Sequence, residues 1–476
     1  MTSAFPSLRT RPSLPAVGGV SRATSVYLRS SNAAVHSSVS SLNSLFNQSA
    51  LSPRSPEDDD CKALICSAFA PHIAVHVSDD TNDLAREKGF ADFKEMLRPY
   101  GEKIQGRVTI RDSQGISTTH DDYGIRFVSL ADVAASGEKW ETGASRMMNG
   151  AAGPLKPGRG VREGGSLDDV EDLLNLHMTR AEELDETSLP SDADTYSPGQ
   201  SFYTLYLQRI LSALPLTPHE TFSHPAACVI AISSRNAAPI DSLRNLYNSG
   251  NQLPLPSYVN TDYLRYYVLV HDEDRDDIKK STLLFDQMKK HFGLHCHLLR
   301  LRSGGPSVIS DDDAVIVARS QWLSAAEELH EIRSRDYDDE QPAVCLPDSD
   351  ATGIQTMIRE MTQVSVIPFM ERCIATWNDQ VASRRRGLSG RFISISKRYF
   401  PTSTSRNSTS SSNYDAHSAS YLPSAPEAQM RKLADYAFML RDWRLAHSIF
   451  ELLRTDFNND KAWKYHAGAQ VHISHS

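Results

Sequence analysis

No stretch of this chain holds the roughly 18 consecutive apolar residues that a membrane-spanning helix needs, so no transmembrane helix is expected. No secretory leader is expected either. The six cysteines, Cys61, Cys66, Cys228, Cys296, Cys345 and Cys373, are scattered through a long chain, a pattern of reduced thiols rather than of a disulfide framework. Cys61 and Cys66 have no second pair to complete the four ligands of a structural zinc site. Neither G-x-x-x-x-G-K-[ST] nor G-x-S-x-G occurs, which removes the P-loop and the nucleophile-elbow hydrolases. The formal net charge of −9 gives no bulk attraction to nucleic acid, and no nucleic-acid partner is expected. Residues 1–56 contain no Asp or Glu.

What is present in that tail is Ser and Arg, including Arg9, Arg11, Arg22 and Arg29. The mixture overlaps with a mitochondrial transit peptide, but Pro6, Pro12, Pro15, Gly18 and Gly19 interrupt the amphipathic helix such a peptide requires. Residues 1–60 therefore read as a disordered tail.

An α/β domain is expected over 61–375. Apolar runs bounded by turn residues mark strands at His72–Val77, Arg107–Arg111, Gly124–Val128, Pro225–Ser233, Tyr266–His271 and Leu294–Leu301. One helix is expected over Thr81–Tyr100 and others at Ile240–Tyr247, Ile278–His291 and Arg319–Ser334. The alternation from Pro225 to Leu301 implies parallel neighbours with helices on the sheet faces. Residues 135–200 read as a loop insertion, Gly-rich between Gly150 and Gly165, with an acidic helical stretch in Asp168–Glu186.

Three polar clusters invite an enzyme reading. His271-Asp272-Glu273-Asp274, with Asp276 and Asp277, sits at a strand end, where α/β enzymes place their chemistry. His295 and His297 share one face of a strand and could share a metal. Asp311, Asp312 and Asp313 form the third. Each has a plainer account: acids at a helix N-terminus, a strand with one polar face, a polar loop. No catalytic residue, cofactor site or metal site is expected.

The distinctive stretch is Val366–Phe400, VIPFMERCIATWNDQVASRRRGLSGRFISISKRYF. On a helical wheel Leu388, Phe392, Ile395 and Tyr399 fall in one arc, while Arg391, Lys397 and Arg398 lie outside it and Arg384, Arg385 and Arg386 precede it. A basic helix with an apolar face suits the surface of an anionic bilayer, where each cation adds about 1 kcal/mol. Arg384, Arg385, Arg386, Leu388, Arg391, Phe392, Ile395, Lys397, Arg398, Tyr399 and Phe400 are the candidate membrane contacts. The alternation of Phe392 to Ser396 also fits an edge strand, and the apolar arc also fits packing on protein, so the pattern leaves both open. Residues 376–425 are this segment and a Ser-rich linker. Residues 426–476 repeat helical patterns, with Pro426 suited to a first helical position, like the start of a tetratricopeptide-like α-solenoid. One and a half such units leave an apolar surface uncovered, which predicts poor solubility or dependence on a partner.

The Val366–Phe400 stretch resembles the large subunit specific to the TRAPP III trafficking complex, the family of TRAPP complex subunit 8 and the fungal 85-kDa subunit. So do Ser424-Ala425-Pro426-Glu427, Gln429–Asp435, His224–Ile240, Tyr266–Asp272, Met288–Ser303 and Arg454–Ala469. The resemblance spans roughly Cys61 to Ala469 and is poorest over Ala135–Gln200. It implies a non-enzymatic scaffold and membrane-targeting role in a tethering and exchange-factor complex for a Ypt/Rab-type GTPase. That complex acts in ER–Golgi transport and autophagy, and the GTPase is met only through the other TRAPP subunits. It also implies a cytoplasmic protein, peripheral on Golgi and pre-autophagosomal membranes. The family's members are longer, running on through a helical solenoid and β-sandwich modules, so ending at VHISHS is expected of a truncated product. Without the resemblance two readings stay open: a helical-repeat adaptor with no membrane contact, and a metal-dependent enzyme built on His295, His297 and the Asp272 cluster.

Overall fold

The computed structural model describes residues 64–135, 174–180, 199–214, 219, 225–256, 259, 261–302, 314–334, 344–386, 413–416 and 419–475, within one compact unit, Asp58–Ser476. At its centre is a five-stranded sheet in the order β4-β1-β5-β6-β7, formed by β1 (His72–Val77), β4 (Arg126–Ser129), β5 (Ala227–Ser233), β6 (Leu264–Asp272) and β7 (Cys296–Leu301). All of its pairings are parallel. Parallel strands covered on both faces must be apolar throughout, which is why β5 and β6 are buried almost end to end. Their side chains alternate between two cores. Val75, Val229, Ala231, Val268 and Val270 face one, and Ala74, Ile230, Ile232 and Leu269 the other.

Helices α1 (Asp79–Glu87), α2 (Phe93–Glu102) and α7 (Asp348–Glu360) contribute to the first core. Helices α4 (Pro239–Gln252) and α5 (Ile278–Phe292) cover the second. The helix expected over Thr81–Tyr100 is two. Gly89 takes φ +93°, a left-handed conformation that ends α1, and the Asp92 carboxylate accepts from Glu95 N to open α2. Strand β7 starts two residues later than expected, leaving Leu294 86% exposed ahead of it. The helix read from Arg319 begins only at Ala325 (α6, Ala325–Ser334). Among the short strands that the sequence did not announce are β8 (Ala314–Ile316) and β9 (Cys345–Pro347), which pair antiparallel. Of the insertion, 174–180 is helical and α3 spans Gly199–Ser212.

A long helical rod leaves the sheet. Helix α7 passes through a π turn, Met361–Val366, into α8 (Ile367–Arg386). The cause of the wide turn is Pro368, which has no N–H for the Val364 carbonyl and whose ring crowds it. The Ile367 N–H bonds to Thr362 O, five residues back. Beside the rod stands a ribbon of β2 (Val108–Arg111) and β3 (Ser117–His120).

The C-terminal helices are α9 (Pro426–Met439), α10 (Trp443–Asn459) and α11 (Trp463–His475), preceded by the small pair β10 (Tyr414–Asp415) and β11 (Ser420–Tyr421). The two interhelical turns repeat one geometry. Arg441 N bonds Phe438 O and Asp442 N bonds Ala437 O; Lys461 N bonds Asn458 O and Ala462 N bonds Phe457 O. Arg441 and Lys461 both take positive φ, the position helix ends usually give to glycine. The apolar faces of these helices are covered by the α/β part rather than left bare. Phe438 meets Phe69 edge-on at 5.2 Å, Tyr436 meets Trp377 of α8 at 5.1 Å, and one hydrophobic cluster runs from β1 to Ala469. The uncovered surface expected at this end is thereby reduced, with Trp463 still 59% exposed.

Candidate functional site

Strand order 2-1-3-4-5 in a parallel sheet puts the usual ligand crevice at the carboxyl ends of the strands, between β1 and β5. Here that edge is taken up by the chain itself. Helix α1 leaves β1 and crosses the edge. Ser78 N bonds Ala231 O of β5, Glu87 pairs with Arg235 beyond β5, and Lys88 reaches the Arg302 carbonyl beyond β7. A helix of about nine residues is ~13 Å long, close to three strand spacings of ~4.8 Å.

The acidic cluster at the end of β6 is consumed in the same place. Asp272, fully buried, accepts from Arg235 Nε at 2.8 Å, and Arg235 also grips Glu87 with both terminal nitrogens. The hydrogen bond from Arg235 holds the Glu87 carboxyl below its ordinary range, and Arg235 itself is shifted upward. Glu273 pairs with Arg300 at 2.6 Å, Asp276 accepts from Ser234 Oγ, and Asp277 caps α5 through Lys279 N. His271 shares a hydrogen bond with Ser281 in the interior.

The two histidines of β7 are likewise divided between separate partners. His295 Nδ1 lies 2.9 Å from Ser365 Oγ in the π turn, and His297 Nδ1 lies 3.1 Å from Glu360. Burial lowers both below the ordinary imidazole value. Among the described residues no group of three His, Cys, Asp or Glu is placed to hold a metal ion. Asp311, Asp312 and Asp313 lie outside the described residues.

Of the basic stretch, the structure shows its mounting. Ile367, Met370 and Ile374 bury the first turns of α8, whose backbone is described as far as Arg386. The side chains of Arg384, Arg385 and Arg386, and the whole of Leu388, Arg391, Phe392, Ile395, Lys397, Arg398, Tyr399 and Phe400, lie outside the described residues. On the far side of the segment the chain is described again at 413, where Tyr414 and Tyr421 join Phe457 and Tyr465 in an aromatic cluster with centroids 5.1 to 6.3 Å apart. Both flanks of the candidate segment are thus fixed to the body of the protein. No helix among the described residues is long and apolar enough to cross a membrane.

Several organising residues carry no sequence signal. Glu328 on α6 is buried against His177, Arg180 and Arg209 and ties 174–180 and α3 to the domain. Burial alone would raise its carboxyl; these partners hold it down at about 2. Arg126 is buried with its guanidinium 3.8 Å over the Trp322 ring, and donates to the carbonyls of Ser67 and Leu211. Burial presses it down to about 9.

The α/β domain, with this edge occupied by its own side chains, is continuous with the rod and the helical hairpins. The chain belongs to the TRAPPC-Trs85 family, described as the ER-Golgi trafficking TRAPP I complex 85 kDa subunit, whose model matches residues 65–476. It is 32% identical to transport protein particle subunit trs85-2 of Schizosaccharomyces pombe, over 86% of this chain and 63% of that protein. It is 24% identical to human trafficking protein particle complex subunit 8, over 85% of this chain and 32% of that protein. With the trafficking protein particle complex III-specific subunit 85 of Saccharomyces cerevisiae the identity is 25%, over 61% of this chain and 41% of that protein. The chain thus spans less than two thirds of the length of these relatives.

Proposed function

We propose that the chain is a non-catalytic scaffold and membrane-targeting subunit of a TRAPP III-like tethering and Rab-GTPase exchange complex, serving ER–Golgi transport and autophagy. In this reading it works at the cytoplasmic surface of Golgi and pre-autophagosomal membranes. Its direct partners are other TRAPP subunits, and it meets a Ypt/Rab-type GTPase through them. The observation that carries the reading is the family match across residues 65–476, which includes the whole basic stretch. The trafficking role of the relatives, and the III-specific name of the budding-yeast one, favour it. So does the mounting of its flanks, since α8 and the chain from 413 are both packed on the body and can present what lies between them to a flat surface.

The anionic membrane contact is assigned to Arg384, Arg385, Arg386, Arg391, Lys397 and Arg398 for attraction, and to Leu388, Phe392, Ile395, Tyr399 and Phe400 for insertion. Liposome flotation of the full chain at low and high salt tests it, with Phe392→Asp plus Ile395→Asp as the control. Binding to anionic vesicles that weakens with salt and is abolished by the double change is expected. Equal flotation of both proteins would place the contact elsewhere. A folded wild type that never floats would leave this segment packed on protein and make the chain an adaptor.

A further inference from the structure

The β2–β3 ribbon is held on every side but one. Along the outer edge of β2, the Arg107 carbonyl accepts from Gln363 Nε2 at 2.6 Å and the Arg111 N–H donates to Glu371 at 2.7 Å, both on the helical rod. At the tip, Asp112 Oδ1 accepts from Gln114 N and Ile116 N, while Ser113 N donates to Asp442 of the α9–α10 turn at 2.9 Å. At the base, Arg441 pairs with Asp122 at 2.6 Å and approaches His120 at 3.0 Å.

The register fixes where the remaining backbone groups point. Arg107 and Arg111 direct theirs away from β3, so Val108 and Ile110 direct theirs toward it, onto His120 and Thr118. Ser117 and Thr119 must then face outward, and no described residue meets their N–H and C=O groups. Ser117, Thr118 and Thr119 are exposed. The strand carries no Pro, no Lys and no bulge, so of the usual protections of an edge it has its shortness, four residues. Beside it Ile116 is 54% exposed.

From this we infer that the free edge of β3 is a docking site for an extended segment of a partner protein, which adds a third strand through main-chain hydrogen bonds to Ser117 and Thr119. The occupant's class follows from the groups on offer: alternating backbone donors and acceptors match another extended backbone, and Ile116 offers an apolar contact at one end. The ribbon is already ordered at tip, base and inner edge, so little entropy is lost when it is used. A second copy of this chain is the poorer fit, because a four-residue strand buries far less than the roughly 1,200 Å² of a stable pair. A partner held elsewhere in a larger assembly needs only this local addition, so the inference rests on the subunit role proposed above.

The test uses the full chain co-purified with the small TRAPP subunits. Backbone hydrogen exchange is read at 117–121 in the free chain and in the assembly. Thr119→Pro removes an outward N–H and leaves the β2–β3 ladder intact, whereas Thr119→Val keeps the N–H. Both are checked for unchanged melting. Expected are at least about tenfold slower exchange at Thr119 in the assembly and at least about tenfold weaker assembly of Thr119→Pro, with Thr119→Val as wild type. Normal exchange at Thr119 in a formed assembly, or normal assembly of Thr119→Pro, overturns the docking site and leaves the subunit role standing. Concentration-dependent dimers abolished by Thr119→Pro would assign the edge to a second copy instead. Failure of the wild type to assemble overturns the subunit role and this inference with it.

Discussion

Lys88 and Asp350 carry opposite charges where water does not reach: both side chains are 1% exposed, with nitrogen and oxygen 2.6 Å apart. Each has a second commitment, Lys88 to the Arg302 carbonyl and Asp350 to the Arg302 N–H, so the pair closes the end of β7 against α1 and α7. Such a pair gains little over apolar residues of the same size, but either half alone is a buried, uncompensated charge. Lys88→Met is therefore expected to cost about 3–5 kcal/mol. Lys88→Met with Asp350→Leu should cost clearly less than the two single changes added together. Urea unfolding of the three variants measures the difference. Strict additivity would mean that the two groups do not feel each other. Neither residue stands out in the sequence, since Lys88 falls within the helix expected over Thr81–Tyr100 and Asp350 lies in Asp348-Ser349-Asp350, where both look like ordinary surface charges.

Between elements, the contact of α8 with α9 holds another buried cation. Lys432 lies 4.9 Å from the Trp377 ring, and burial brings it down to about 8, against the opposing pull of Cys373 and Asp262. Below pH 8 the folded and unfolded chains both carry the proton, and the cost of burying the charge is felt in full. Between pH 8 and the ordinary 10.5 the folded chain has released a proton that the unfolded chain keeps, so stability from this group rises with pH. Lys432→Met is expected to stabilise the protein at pH 7 by up to about 3 kcal/mol, a gain that shrinks toward pH 10. Urea midpoints at the two pH values check it; a constant difference would show that the charge is not what burial penalises. The elements themselves were largely legible. Strands β5 and β6 announce themselves because a strand covered on both faces must be apolar throughout, and α9 and α10 because their apolar spacing is helical. Less visible were the break at Gly89, which depends on one backbone angle, and the short β8 and β9, too brief for any period. The filling of the crevice by Arg235 was hidden entirely, since its partners Glu87 and Asp272 come from distant parts of the chain. The sequence could nominate the Asp272 cluster but not say that its charges were already spent.

At the scale of the molecule, the question is whether the helical end is a separate body. Sequence pattern suggests a division near the Ser-rich linker, because composition changes there. The contacts cross that division: Phe438 on Phe69, Tyr436 on Trp377, and Asp442 and Arg441 on the β2–β3 ribbon. Strand β1 and helix α10 share one hydrophobic cluster, so neither side keeps a complete core without the other. The part from Leu64 onward is expected to unfold in a single cooperative transition. Far-ultraviolet dichroism, which reports mainly the helices, and fluorescence of a chain with Trp140, Trp443 and Trp463 replaced by Phe, so that Trp322 and Trp377 report the α/β side, should then give the same midpoint. A fragment ending before Tyr414 should lose that transition, because Phe69, Tyr123 and Trp377 would be exposed together. Two separated transitions in the full chain, or a fragment that melts like the parent, would instead make the helices a free module. In the single-transition case both flanks of the basic segment belong to one cooperative body, and whatever the segment binds takes hold of the α/β domain and the helices together.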